Sequence, residues 1–271
     1  MEGKEIKAVE LWRQLATMLS EMSRGNYEKA INDGKKLMEL SLDSPAFKLG
    51  KAETLRCIGR AYFMLDKCDE AIDYLTRALE IAEAANLEEE AVHIFIMLGN
   101  VYAKKGNDDR ALDYFDKSVK LAKKIEDNEM EAIALNNIAN IYCRRNECKR
   151  ALDYSKDALS LFLKSRTSSP MDKAEAYFTN ALILEKLGNM NPAISSCRLS
   201  FELYKEAGNE EKAIEVLIKL GDMYYSLGDN KNAMECWEQS ADMCERSGLI
   251  KEAVDILGKI HERKKRVFYS V

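Results

Sequence analysis

Proline, glycine and histidine are all scarce in this chain: of 271 residues, three are proline, thirteen glycine and two histidine. So few breakers leave room for long helices, and strand-like alternation of apolar and polar residues is absent. No apolar run approaches the roughly 20 residues of a membrane span. The charged opening MEGKEIKAVELW lacks the apolar core of a secretory signal. There is no basic excess either: the net charge of −5 excludes the positive footprint of a general nucleic-acid binder. The seven cysteines contain no CxxC pair. Cys57, Cys143, Cys197, Cys236 and Cys244 fall in helical patterns, and Cys68 and Cys148 stand near turns. They read as free thiols of a reducing, cytoplasmic setting; Cys143 and Cys148 flank a tight turn, but nothing else in their context supports a redox pair. No phosphate loop, metal signature or nucleophile elbow occurs. Neither His93 nor His261 has an acid and a nucleophile at interpretable spacing. The expectation is a non-catalytic protein with no metal and no cofactor.

What is present is a repeat. Gly59-Arg60-Ala61-Tyr62 returns as Gly99-Asn100-Val101-Tyr102, as Ala139-Asn140-Ile141-Tyr142 and as Gly221-Asp222-Met223-Tyr224. Twelve residues after each small residue stands an alanine: Ala71, Ala111, Ala151 and Ala233. A period near 40 marks an array of stacked helical units. A content of 46% hydrophobic residues is ample for its core.

Apolar residues recur at helical spacing throughout. In the second unit Leu55, Ile58, Tyr62 and Leu65 line a first helix. After the turn DKCDE, the residues Ala71, Tyr74, Leu75, Ala78, Leu79 and Ala82 line a second. Small residues at Gly59 and Ala71 let antiparallel helices approach closely. Six repeats follow, near 5–45, 51–87, 91–126, 130–166, 171–208 and 210–247. In the first, Met18 replaces the glycine while Ala30 is kept. The fifth carries Ala181 and Ala193, with Leu184 in the tyrosine slot. A last helix, about 250–267, shows Ala253, Val254, Leu257 and Ile260 on one face and is expected to cap the sixth repeat. Asn191-Pro192 reads as N-cap and first helical residue, and Gly106, Gly188 and Gly228 as helix stops. SRTSSP, 165–170, is the only loop-like stretch; it lengthens the period there to 42.

This pattern resembles the tetratricopeptide repeat family over nearly the whole chain. Gly99, Tyr102, Ala111, Phe115 and Ser118 fill the family motif, as do Gly221, Tyr224, Ala233, Trp237 and Ser240. The period of 40 rather than 34 is similar to that of kinesin light chains and G-protein-signalling modulators. The resemblance implies an all-α, right-handed superhelical solenoid, a single array over 1–271, with the first helices forming its concave wall. It places groove residues six, three and two before the small residue, and one, four and five after it.

On that wall the resemblance puts Arg56, Arg60, Asn100, Lys104, Asn136, Asn137, Asn140, Arg144, Thr179 and Lys219. Asparagine is a poor choice for a helix interior, yet its amide both donates and accepts and so can hold a peptide main chain. Asn100, Asn137 and Asn140 match positions that do so in related repeats. Arg56, Arg60, Lys104 and Arg144 suit an acidic side chain. The carboxylate clamp of co-chaperone repeats is incomplete, since Ile96, Glu175 and Thr179 stand where it has basic residues. The expected function is an adaptor binding an extended, acidic segment of another protein. Two other readings stay open: a scaffold that self-associates through its terminal repeat or its tail HERKKRVFYSV, and a ligand-sensing regulatory protein.

Overall fold

A computed structural model describes residues 2–39, 45–165 and 168–269, with side chains at 9–39, 47–165, 168–258 and 260. The described residues form thirteen α-helices and no strand. They are α1 (Glu2–Ser23), α2 (Tyr27–Met38), α3 (Pro45–Met64), α4 (Cys68–Ala84), α5 (Glu88–Lys104), α6 (Asp108–Lys124), α7 (Asn128–Arg144), α8 (Cys148–Lys164), α9 (Pro170–Lys186), α10 (Met190–Glu206), α11 (Glu210–Ser226), α12 (Asn230–Arg246) and α13 (Ile250–Tyr269). Odd-numbered helices are the first helices of the repeats and even-numbered ones the second. The fold is an all-α helical repeat. The chain divides into two compact units, 1–137 and 138–271. Consecutive helices pack from α1 to α6 in the first and from α8 to α13 in the second.

Each helix stops for a backbone reason. Ten linkers are three residues long, and the middle residue of each has positive φ: Gly25, Asp66, Asn86, Gly106, Glu126, Asn146, Gly188, Gly208, Gly228 and Gly248. The residue after it donates its N–H to a carbonyl five residues back, as in Asn107 N to Tyr102 O at 2.9 Å and Asp127 N to Ala122 O at 2.9 Å. This left-handed closure satisfies carbonyls that the helix end leaves open. The same residue then starts the next helix; the side chains of Asn107, Asn209 and Asp229 accept from backbone N–H groups three residues on. Gly106, Gly188 and Gly228 act as the sequence suggests. Pro192 does not begin α10, whose N-cap is Asn189. The proline sits one turn inside, where the N–H it lacks would have no partner.

Packing within a pair depends on side-chain size sixteen residues apart. A Cβ on Gly59 would lie 2.7 Å from Leu75 Cγ, one on Gly99 2.4 Å from Phe115 Cε1, and one on Gly221 2.4 Å from Trp237 Nε1. The small residue therefore makes room for a large one, rather than for the alanine alone. Where alanine replaces the glycine, the residue sixteen on shrinks: Ala139 goes with Ser155 and Ala181 with Cys197. In the first repeat the order inverts, because Met18 Cε lies 3.0 Å from where a Cβ on Gly34 would be. Tyrosine pairs brace three repeats, Tyr62–Tyr74, Tyr102–Tyr114 and Tyr142–Tyr154, with ring centroids 5.3–5.5 Å apart. Arg110 and Arg150 lie over the rings of Tyr102 and Tyr142. The fifth repeat, with Leu184, instead has a polar bridge: Asn180 Nδ2 donates to Ser155 Oγ and Ser196 Oγ to Asn180 Oδ1, both at 3.0 Å.

The final helix differs from its expected face. Ala253, Ile256 and Ile260 are buried, whereas Val254 is 60% and Leu257 43% exposed. The cap is formed by the stripe 253, 256, 260, which packs on α12 and joins the core around Trp237. Lys259 and everything from His261 on, the tail included, have side chains outside those described.

Two outcomes test these constraints. Gly99→Ala should cost about 1–3 kcal/mol by overpacking. Combined with Phe115→Leu it should lose less than the two single losses added together, as denaturant midpoints would show. Glu126, at φ 59, holds a conformation that is strained for any residue with a Cβ. Glu126→Gly should therefore raise the thermal midpoint, corresponding to up to about 1 kcal/mol after the entropy of the freer chain is set against it.

Candidate functional site

The first unit brings two of the sequence-chosen asparagines together. Asn137 Nδ2 on α7 donates to Asn100 Oδ1 on α5 at 3.2 Å. Both are half-buried, and the remaining groups of the pair, Asn100 Nδ2 and Asn137 Oδ1, hold no partner among the described residues. Asn136, next along α7, is different. It is only 4% exposed, and its Oδ1 has no donor. The corresponding position holds Ile96, 7% exposed, one repeat earlier. In these two repeats the position three before the motif residue is buried, contrary to the expectation for Asn136.

The basic residues also divide. Arg56 Nε lies 2.6 Å from Glu90 Oε1, with side chains 18% and 7% exposed. Glu53 lies 3.9 Å from the same guanidinium. Burial pushes the Glu90 carboxyl above the usual carboxylate range, with Arg56 pulling against it. Burial also lowers the imidazole of the half-buried His93 from its ordinary value, Arg56 adding to the effect, and it raises the Cys57 thiol to about 11. Arg56 is therefore bound within the wall, not open to a ligand. The sequence reading missed Glu90; its one signal was an acidic residue a turn before His93 on the same helix.

Lys104 is engaged too. Its Nζ is 2.8 Å from Asp66 Oδ1, 3.4 Å from Phe63 O and 4.8 Å from the centre of the Phe63 ring. In the second unit Lys186 does the same work, donating to Cys143 O at 2.8 Å and Asn146 Oδ1 at 3.3 Å. A lysine five residues after the small residue reaches back to the end of the preceding first helix, whose last carbonyls carry the negative end of the helix dipole. Arg60 is exposed and makes no ion pair or hydrogen bond among the described residues. Of the remaining second-unit positions, Asn140 is half-buried and Arg144 exposed. Lys219 pairs with Glu185 at 2.7 Å. Thr179 is 3% exposed, which closes it to any ligand on an open wall.

Burial raises the thiols of Cys57, Cys143, Cys197, Cys236 and Cys244 above their ordinary value. All seven cysteines are free, and burial raises Cys197 to about 12 and Cys236 to about 11. Among the described residues no cluster could hold a metal ion, and no helix is long and apolar enough to cross a membrane. The arrangement offers hydrogen-bonding amides on a rigid helical wall.

The orphaned acceptor makes a testable point. Asn136→Val removes a buried carbonyl oxygen without a donor, so the denaturant midpoint should rise, corresponding to about 1 kcal/mol. A fall would mean that the amide is satisfied in solution.

Models of the tetratricopeptide repeat match residues 7–84 and 90–164, and a further model of the same repeat matches 214–247. The unmatched stretch holds the fifth repeat, where Leu184 and Ser196 replace the tyrosine pair. No curated protein matches the chain by sequence. Among solved structures, BtubC from P. vanneervenii is 17% identical, with 88% of this chain and 92% of that one covered and a TM-score of 0.68. The Rap conjugation gene regulator of plasmid pLS20, in complex with the Phr* peptide, is 18% identical, with 99% and 77% covered and a TM-score of 0.68. A putative kinesin light chain from Podospora anserina, with nearly identical TPR-like repeats, is 14% identical, with 74% and 97% covered and a TM-score of 0.55. These likenesses concern the fold. Repeat scaffolds of this kind typically serve protein interaction, and with most of its length matched, this chain belongs to the tetratricopeptide repeat family.

Proposed function

We propose that the protein is a non-catalytic adaptor that binds an extended segment of another protein along its first helices. The observation that carries this reading is the Asn137–Asn100 bond. It fixes two amides in register on neighbouring helices and leaves one donor and one acceptor over. An extended main chain offers the complementary acceptor and donor. Pre-orienting the amides lowers the cost of ordering them on binding. The peptide-bound Rap regulator offers a precedent of the same fold for such use.

Preference for acidic segments rests on Arg60, which makes no ion pair among the described residues, whereas Arg56 and Lys104 are held by Glu90 and Asp66. A segment captured by pull-down with the intact chain should be titrated against variants. Asn100→Ala and Asn137→Ala should weaken every captured sequence to a similar degree, because all peptides share one main chain. Arg60→Ala should weaken acidic sequences most and reduce the salt dependence of what remains. Wild-type affinity in all three variants, each folded by circular dichroism, would refute the adaptor wall.

A further inference from the structure

The side of the second unit formed by α8, α9 and α10 breaks the repeat pattern in one place. Twelve residues after the second-helix alanine the second, third, fifth and sixth repeats carry Glu83, Lys123, Lys205 and Glu245, and the first carries Leu42; here stands Leu163. Six residues after that alanine they carry Lys36, Arg77, Lys117, Asp157 and Gln239; here stands Leu199. Leu163 is 74% exposed and Leu199 49%. Both line one crevice of about 330 Å³ whose other apolar walls are Leu159, Phe162, Tyr177 and Leu203. The matching crevice one repeat later has Lys205 and Gln239 at the two positions. Two exposed leucines that open on one crevice, one of them in a slot that is hydrophilic in every other repeat, mark a contact surface.

The charges around it say what fits. One repeat boundary earlier, in the first unit, Lys123 and Glu131 form an ion pair at 3.5 Å. The corresponding positions here are Leu163 and Lys173, so no ion pair can form between them. Lys173 and Glu206 both line the crevice, and neither forms an ion pair among the described residues. A two-fold contact sets the same patch against itself. A crevice that carries, besides its apolar walls and the Glu202 held by Lys205, one open cation and one open anion is then its own complement. Lys173 of one copy meets Glu206 of the other, while the leucines interdigitate.

We propose that this face is a homodimer interface, in which Leu163 and Leu199 are buried against a second copy of the chain. The residues of this contact are distinct from Asn100 and Asn137. Sedimentation velocity of the full chain over a range of concentrations tests it. The wild type should pass from monomer to dimer. Leu163→Lys and Leu199→Arg install residue types found in the other repeats, so each should keep the fold and thermal midpoint while weakening association on the order of tenfold or more. Lys173→Glu and Glu206→Lys should each weaken the dimer, and together restore it. A monomer at every concentration overturns the proposal. So does a dimer indifferent to both leucine changes, or one abolished only by Val254→Glu on α13, which would place the contact at the terminal helix.

Discussion

The volume shared between each first helix and the residue sixteen places further on governs the rest of this protein. Protein interiors are packed as densely as organic crystals, so two large residues at that crossing would prise the helices apart. The chain resolves this in three ways: glycine against leucine, phenylalanine or tryptophan, alanine against serine or cysteine, and methionine against glycine in Met18 and Gly34. What is held constant is that at least one partner at the crossing is small. The first repeat, which lacks the motif glycine, is therefore packed by the same rule as the others.

Close helix packing then decides which polar groups remain for recognition. First helices set side by side bring charges on neighbouring walls within reach of one another, and most of the cations are drawn into the framework. Arg56 goes to Glu90, Lys219 to Glu185, and Lys104 and Lys186 to the preceding helix ends. A largely buried pair such as Arg56–Glu90 is weak evidence for net stability, but removing either partner strands the other's charge. Neutral amides escape this competition, because one bond between two of them does not exhaust either. The open chemistry of the wall is thus more amide than charge.

The period, the six pairs and the buried stripe could all be read in the sequence, because core volume must recur wherever the packing recurs. Gly99 and Phe115 show their relation once the period is known. What could not be read was set by neighbours about forty residues away. Nothing local to Lys104 announces Asp66 as its partner, and nothing local to Thr179 or Asn136 announces that adjacent helices seal them. The face of α13 failed for a related reason. Val254 and Leu257 correspond to Ile214 and Leu217 of α11, which their own second helix buries; on α13 no described helix covers that side, and Ile256 takes the inner position. Periodicity identified apolar residues but not which of two apolar faces would meet the core.

The left-handed residues of the linkers stand twenty apart, from Asp66 through Asn146 and again from Gly188 to Gly248. The backbone therefore repeats at half the period of the side chains: seventeen residues of helix, then three of turn. First and second helices are one geometric object dressed in two chemistries. Side-chain changes can accumulate freely on such a rail, but a single inserted residue inside a helix would turn everything beyond it by roughly 100°. Length can change only by whole modules or between them. The two extra residues before Pro170 fall between modules, in the connection between α8 and α9, two of the helices that line the crevice with Leu163 and Leu199. A chain counted out this strictly can acquire a new surface most readily where the count is allowed to slip.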